Sequence, residues 1–233
     1  MKVDILVFGA HPDDVELGCG GTVIKLVEQG EKVGIIDLTR GELGTRGTAQ
    51  SRKVECENAT KILGVRVREN MDFKDGFFEN DEGHKLALIK KIRDYQPEIV
   101  IANAPSDRHP DHGRASQIVV DACFLSGLEK VNAKQKVWRP KAIYHYIQFN
   151  HLQPDFVIDI SRQMEKKIEA VKAYKTQFYN SDSKETETII SKKGFLESVK
   201  YRAQDLGRQA NCEFAEGFIA HQMLKVDSFF DIK

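Results

Sequence analysis

Residues 4–22, DILVFGAHPDDVELGCGGT, pass from an apolar strand-like run straight into a histidine and two adjacent aspartates, and then into a glycine-rich helix start. Nearly continuous apolar character, as in "IVIANA" at 99–104, suits a strand covered on both faces. The chain repeats the pattern. The first run is followed by an amphipathic stretch over 21–29, "KVGIIDLT" by one over 50–63, and "PEIVIANA" by one over 113–125. Strand and helix alternating in this way predict an α/β fold: a Rossmann-like, three-layer α/β/α arrangement with a mostly parallel sheet. "AIYHYIQF" and "DFVIDI" read as later strands, with Ser161 placed to cap a helix starting near Gln163. Helical patterns follow over 165–178 and 195–210, separated by the polar "NSDSKETET" at 180–188, which reads as a mobile loop.

The whole chain of 233 residues fits one domain, 1–233. Its segment 211–233 is apolar enough to want cover, from the domain or from a neighbouring subunit, so a homo-oligomer is expected. Lys+Arg and Asp+Glu both total 35. A net charge of zero gives no electrostatic argument for nucleic acid or an acidic membrane surface, and favours a small-molecule partner. The apolar run near the N-terminus is too short for a signal peptide or a membrane span. Cys19, Cys56, Cys123 and Cys212 are scattered, without the spacing of a thiolate site or a disulfide framework. A cytoplasmic protein is the expectation.

Ligands in open parallel sheets bind outside the carboxyl ends of the strands, and two such loops carry unusual residues. One holds His11, Asp13 and Asp14; the other is "SDRHPDHGR", 106–114. His11 with Asp14, and His109 with His112, stand at i, i+3, where side chains converge if the segment turns into a helix. Two imidazoles and one carboxylate, here His11, His112 and Asp14, make a recurring catalytic zinc shell with a position left for water. Acids gathered at a sheet edge need a compensating cation, which a divalent metal or a nearby arginine could supply. The glycines of "GCGG" allow two readings, close packing of helix on strand or a phosphate cradle. The order G-x-G-x-x-G is missing, and two aspartates that would repel phosphate precede them.

Together, "GAHPDDVELGCGGT" and "HPDH" resemble the PIG-L, or LmbE-like, family of zinc-dependent N-acetylglucosamine deacetylases, from Val3 to the "AEGF" at 215–218. The loops "TRGELGTRGT" and "SDRHPDH" resemble the bacillithiol branch, which hydrolyses N-acetylglucosaminyl-malate. The resemblance implies His11, Asp14 and His112 as metal ligands, Asp13 as general base, His109 as oxyanion stabiliser and proton donor to the amine, and Asp111 as an acid orienting a histidine. It implies Glu42 as a sugar-hydroxyl acceptor, with Arg46 nearby, and Arg52, Arg108 and Arg139 near the substrate's carboxylates. A tyrosine of the mycothiol branch is replaced by Asp107, and one of some bacillithiol-type relatives by Phe195. The metal is expected to be zinc, with iron an alternative for the same shell. Chitooligosaccharide ends and inositol conjugates are the alternative substrates, and a non-hydrolytic nucleotide-binding module is the alternative of a different class.

Overall fold

The computed structural model describes residues 1–231. Four strands, β1 (Ile5–Gly9), β2 (Val33–Thr39), β3 (Val67–Phe73) and β4 (Ile99–Asn103), are followed by β5 (Ala142–Tyr146), β6 (Phe156–Asp159) and β7 (Ala215–Ala220). They form one seven-stranded sheet in the order β3-β2-β1-β4-β5-β7-β6. Pairing is parallel from β3 through β5, and β7 runs antiparallel between β5 and β6. The mostly parallel α/β expectation is met.

Alternation along β1 assigns the two faces. Leu6 and Phe8 enter a core with Leu88, Ile92 and Ile118, while Ile5 and Val7 enter one with Val15, Val23 and Leu63. Helices α3 (Glu82–Tyr95) and α4 (Pro110–Ser126) therefore cover the first face. The opposite face takes α1 (Asp14–Glu28), α2 (Ala49–Leu63) and α5 (Met164–Lys172), and α6 (Phe195–Gln209) packs beside β7. Thr48 starts α2 by accepting the Ser51 N–H. Gly64 ends it in the left-handed conformation at φ 73°. The strand order reverses between β1 and β4, and such a switch point opens a crevice at the carboxyl ends of the strands.

Several expectations need correction. Helix α1 starts at Asp14, seven residues before the amphipathic stretch, because Asp13 turns the chain with φ 116° directly into the first turn. The glycines then lie inside the helix, which is kinked at Cys19 (φ −142°, ψ 22°). They serve packing. A Cβ on Gly18 would stand 2.1 Å from the Tyr146 ring, and one on Gly21 would stand 2.7 Å from Ile160. The Gly21 and Thr22 N–H groups donate to the Glu216 carboxylate at 3.0 and 2.7 Å, so the donors a phosphate would need are already taken. That removes the basis of the nucleotide-binding alternative.

Ser161 does not cap α5. Its hydroxyl donates to Asp159 and accepts from the Glu213 and Phe214 N–H groups. Helix α5 also ends at Lys172 rather than continuing to 178. The C-terminal segment is covered in part by its own sheet, since residues 215–220 are β7. Beyond it Met223, Phe229 and Phe230 are exposed, and residues 232–233 of that expectation lie outside the described residues. Among the described residues no helix is long and apolar enough to cross a membrane.

Candidate metal centre

The end of β1 and the first turn of α1 supply His11, Asp13 and Asp14, and the start of α4 supplies His109, Asp111 and His112. Helix α4 begins with His109 at its N-cap and Pro110 in its first turn, a position where the missing N–H of proline leaves nothing unsatisfied. Because β1 and β4 are neighbours, the two motifs meet.

The Asp14 carboxylate is the hub. Its Oδ2 accepts the His11 backbone N–H at 2.9 Å and the Asn103 amide at 3.1 Å. Its Oδ1 accepts from Gln148 at 2.8 Å and lies 3.2 Å from His112 Nε2. His11 Nδ1 stands 3.5 Å from Oδ2. Both imidazoles have carboxylates at their far nitrogens. His112 Nδ1 donates to Asp107 Oδ2 at 2.8 Å. His11 Nε2 faces Asp75 Oδ1 at 3.0 Å and Asp111 Oδ2 at 3.2 Å. Such carboxylates fix the tautomer and direct the lone pair of the other nitrogen toward a metal. Here those two nitrogens face one carboxylate, so acceptor confronts acceptor unless a proton or a metal ion lies between them.

This donor set fits a divalent transition ion. Two imidazole nitrogens and one carboxylate oxygen are the ligand types of catalytic zinc sites and suit iron as well. His11, Asp14 and His112 are all more than nine-tenths buried. Nitrogens of His11, His109 and His112 also lie within 4.8 Å of one another.

The electrostatics follow from the crowding. Burial works to raise the Asp14 carboxyl, but His112 and His11 outweigh it and hold it well below the ordinary range. Burial would lower the His112 pKa, yet Asp14 and Asp107 lift it to about 9. For Asp13, burial dominates over the pull of Arg52 and pushes the carboxyl up to about 7. His109 is held below its usual value by burial and by the His11 and His112 charges. Its Nδ1 accepts the Asp111 backbone N–H at 3.2 Å, which leaves the neutral ring's proton on Nε2.

The remaining expected residues are distributed unevenly. Arg52, 6% exposed, donates to Pro12 O at 2.8 Å and contacts Asp13 Oδ2 at 3.3 Å, so its charge is committed to the neighbouring acid. Arg108 is exposed at the rim, stacked 4.8 Å over Phe149. Glu42 Oε1 accepts the Asp75 N–H at 2.9 Å, while its Oε2 is buried without a partner. Arg46 donates to Thr176 O at 2.8 Å. Arg139 is a correction. It donates to Phe124 O and packs against Gly127 at the C-terminal end of α4, a 17-residue helix whose other end carries His112. Phe124 and Gly127 follow His112 by 12 and 15 residues, so at about 1.5 Å per residue Arg139 sits roughly 20 Å away.

Sequence reasoning missed Asp75, Asn103 and Gln148. Asn103 is the last residue of β4, a polar side chain closing an apolar run. Asp75 and Gln148 each lie two residues beyond a strand end, after β3 and β5. A cavity of about 310 Å³ opens over the centre, and Arg108, Gln148, Phe149 and Phe195 are among its walls.

Residues 6–123 match the PIG-L family, described as GlcNAc-PI de-N-acetylase. A diacetylchitobiose deacetylase of Thermococcus kodakarensis is 30% identical over 75% of this chain and 70% of its own. A probable N-acetyl-α-D-glucosaminyl L-malate deacetylase 2 of Bacillus subtilis is 28% identical over 76% and 84%. A 4-oxalmesaconate hydratase of Pseudomonas putida is 26% identical over 71% and 70%. A solved structure of a conserved protein from Thermus thermophilus superposes with a TM-score of 0.87 at 35% identity, covering 97% of this chain and 98% of the other. The chain thus belongs to the PIG-L family.

Proposed function

We propose that the protein is a zinc-dependent amidohydrolase that removes the acetyl group from an N-acetylglucosamine conjugate. One observation carries this reading: two imidazoles, each held from behind by carboxylates, turn their free nitrogens onto the Asp14 carboxylate. His11, Asp14 and His112 would hold the ion. When bound, a divalent ion supplies Lewis acidity toward water and the amide carbonyl.

Asp13 is the general base. A carboxyl brought to about 7 can take a proton from the attacking water and then pass it to the departing nitrogen. Arg52 keeps that carboxylate in place. His109, neutral and with its proton on Nε2, is a donor to the developing oxyanion. The proton for the amine therefore comes from Asp13 rather than from His109. The C–N bond breaks, the water oxygen joins the acyl carbon, and the products are acetate and the free amino sugar.

The finer substrate reading is N-acetylglucosaminyl-malate, with Arg108 at the rim gripping a carboxylate. A chitooligosaccharide end is the second reading, favoured by the 30% identity to the diacetylchitobiose deacetylase. The relation to a hydratase makes addition of water to a double bond the competing chemistry. Acetate release from N-acetylglucosaminyl-malate, diacetylchitobiose and N-acetylglucosamine, with and without added zinc, tests the two deacetylase readings, and a hydratase would release none. Release that depends on zinc and is lost in Asp13→Asn supports the proposal. No acetate from any substrate by the metal-loaded enzyme would overturn it.

A further inference from the structure

The lining of the cavity over the centre is of two kinds. Thr45, Asp75 and Gln177 are polar; Leu17, Val199, Phe195, Ile190 and Ile189 are apolar, and Leu43 and Phe149 also contribute. The apolar set begins beside the chemistry. Leu17 stands three residues after Asp14 on α1, so the two share a helix face. From there the side chains grade outward. Leu17 and Val199 are each 7% exposed, Phe195 and Ile190 are half-buried, and Ile189 at the rim is 48% exposed. Leu17 and Val199 belong to one buried cluster against which Phe195 and Ile190 pack, so that core opens into the cavity.

Leu17, Val199, Ile190 and Ile189 offer no hydrogen bond to a sugar hydroxyl and no broad aromatic face for a sugar ring, and Phe195 is the one aromatic side chain in the set. They take aliphatic groups, and the gain grows with apolar area removed from water. An acetyl methyl needs only the innermost of these contacts. Resting on the deacetylase reading above, we propose that this apolar lining is a track for N-acyl chains, and that the enzyme also hydrolyses N-acyl glucosamines with chains longer than acetyl. The balance is that of the acetyl reaction: water adds to the acyl carbon, the C–N bond breaks, and the products are a fatty carboxylate and the amine. No further reactant is needed.

The experiment compares N-acetyl-, N-butanoyl- and N-hexanoylglucosamine with the zinc-loaded enzyme, measuring free amine. A methylene taken fully out of water is worth up to about fourfold, so kcat/KM is expected to rise at least about tenfold from acetyl to hexanoyl. Ile189→Ser, at a rim position the fold tolerates, should cut the hexanoyl-to-acetyl ratio by about threefold or more, and Ile190→Ser by more. A hexanoyl substrate turned over more slowly than acetyl, or a ratio unmoved in both variants, would overturn the proposal. So would a gain confined to the acetyl group of octyl N-acetylglucosaminide, which would assign the wall to the aglycone. Failure of every substrate, acetyl included, sinks the parent reading as well and is thereby distinguished from failure of the track alone.

Discussion

Asn103 joins the two halves of the centre: its amide nitrogen donates to Asp14 Oδ2 at 3.1 Å while its amide oxygen accepts the Ala10 N–H at 3.0 Å. It is fully buried at the end of β4, so it ties that strand to the carboxylate that both imidazoles face. Asn103→Ala strands the Ala10 donor, at about 1–3 kcal/mol. Loss of such support usually weakens a metal by about 10–100-fold. Zinc competition with a chelator should show that loss, and KM for substrate should stay within about twofold, because Asn103 does not line the cavity. Unchanged zinc affinity would show that Asp14 is held without it.

Arg68 on β3 lies between two buried acids. It bonds Asp37 through Nε at 2.7 Å and Nη2 at 2.9 Å, and pairs with Glu16, which also accepts from the Tyr174 hydroxyl at 3.0 Å. Glu16 follows Asp14 by two residues, so this cluster anchors the first turn of α1 behind the proposed metal ligands. Arg68→Met leaves the carboxylates uncompensated and should remove about 3–5 kcal/mol. The pH dependence has a definite sign. Burial already raises the Asp37 pKa against the pull of Arg68. Without Arg68 it rises further, the folded state binds more protons than the unfolded one, and stability falls as pH rises. Urea unfolding at pH 5 and pH 7.5 should give the smaller deficit at pH 5. Equal deficits would contradict the account.

Arg108 and Arg139 separate what position decides. Both stack on a phenylalanine, but Arg108 does so at the cavity rim and Arg139 at the far end of α4. Arg108→Ala should raise KM about tenfold for N-acetylglucosaminyl-malate and little for N-acetylglucosamine. Arg139→Ala should leave both constants unchanged. An equal rise for the two substrates with Arg108→Ala would discard the carboxylate grip.

The residues that announce themselves in the sequence are those out of place chemically. Acids and histidines directly after apolar strands mark strand ends, and the parallel order of β1 and β4 joins the two loops. Asp75 escaped because β3, "VRENMDF", is a half-exposed edge strand whose polar side chains hide its period. Gln148 and Asn103 carry meaning only once β1, β4 and β5 are known to be neighbours. The place of Arg139 came from the resemblance alone, which does not say which end of a helix an arginine reaches. The onset of α1 was misjudged because Asp13 takes a left-handed conformation that asparagine and glycine adopt more readily. Such strain at a proposed base is of the kind found where surrounding structure holds a reactive group in position.

Asp107 couples the metal side of the centre to the rim, and its removal should therefore affect two measurements at once. Its Oδ2 accepts from His112 Nδ1 at 2.8 Å, and its Oδ1 accepts the backbone N–H groups of Arg108 at 2.7 Å and Asn150 at 2.9 Å. Asparagine has only one acceptor oxygen, so Asp107→Asn must turn its amide nitrogen either onto His112 or onto the two backbone donors. If the amide nitrogen faces His112, that ring loses its orienting acceptor and zinc affinity falls about 10–100-fold. If it faces the backbone, Arg108 and the loop after β5 shift and KM for N-acetylglucosaminyl-malate rises. Zinc competition and KM measured on the same preparation should show at least one change, whereas Asn103→Ala should show only the first. Wild-type values for both in Asp107→Asn would mean that neither His112 nor Arg108 depends on this carboxylate.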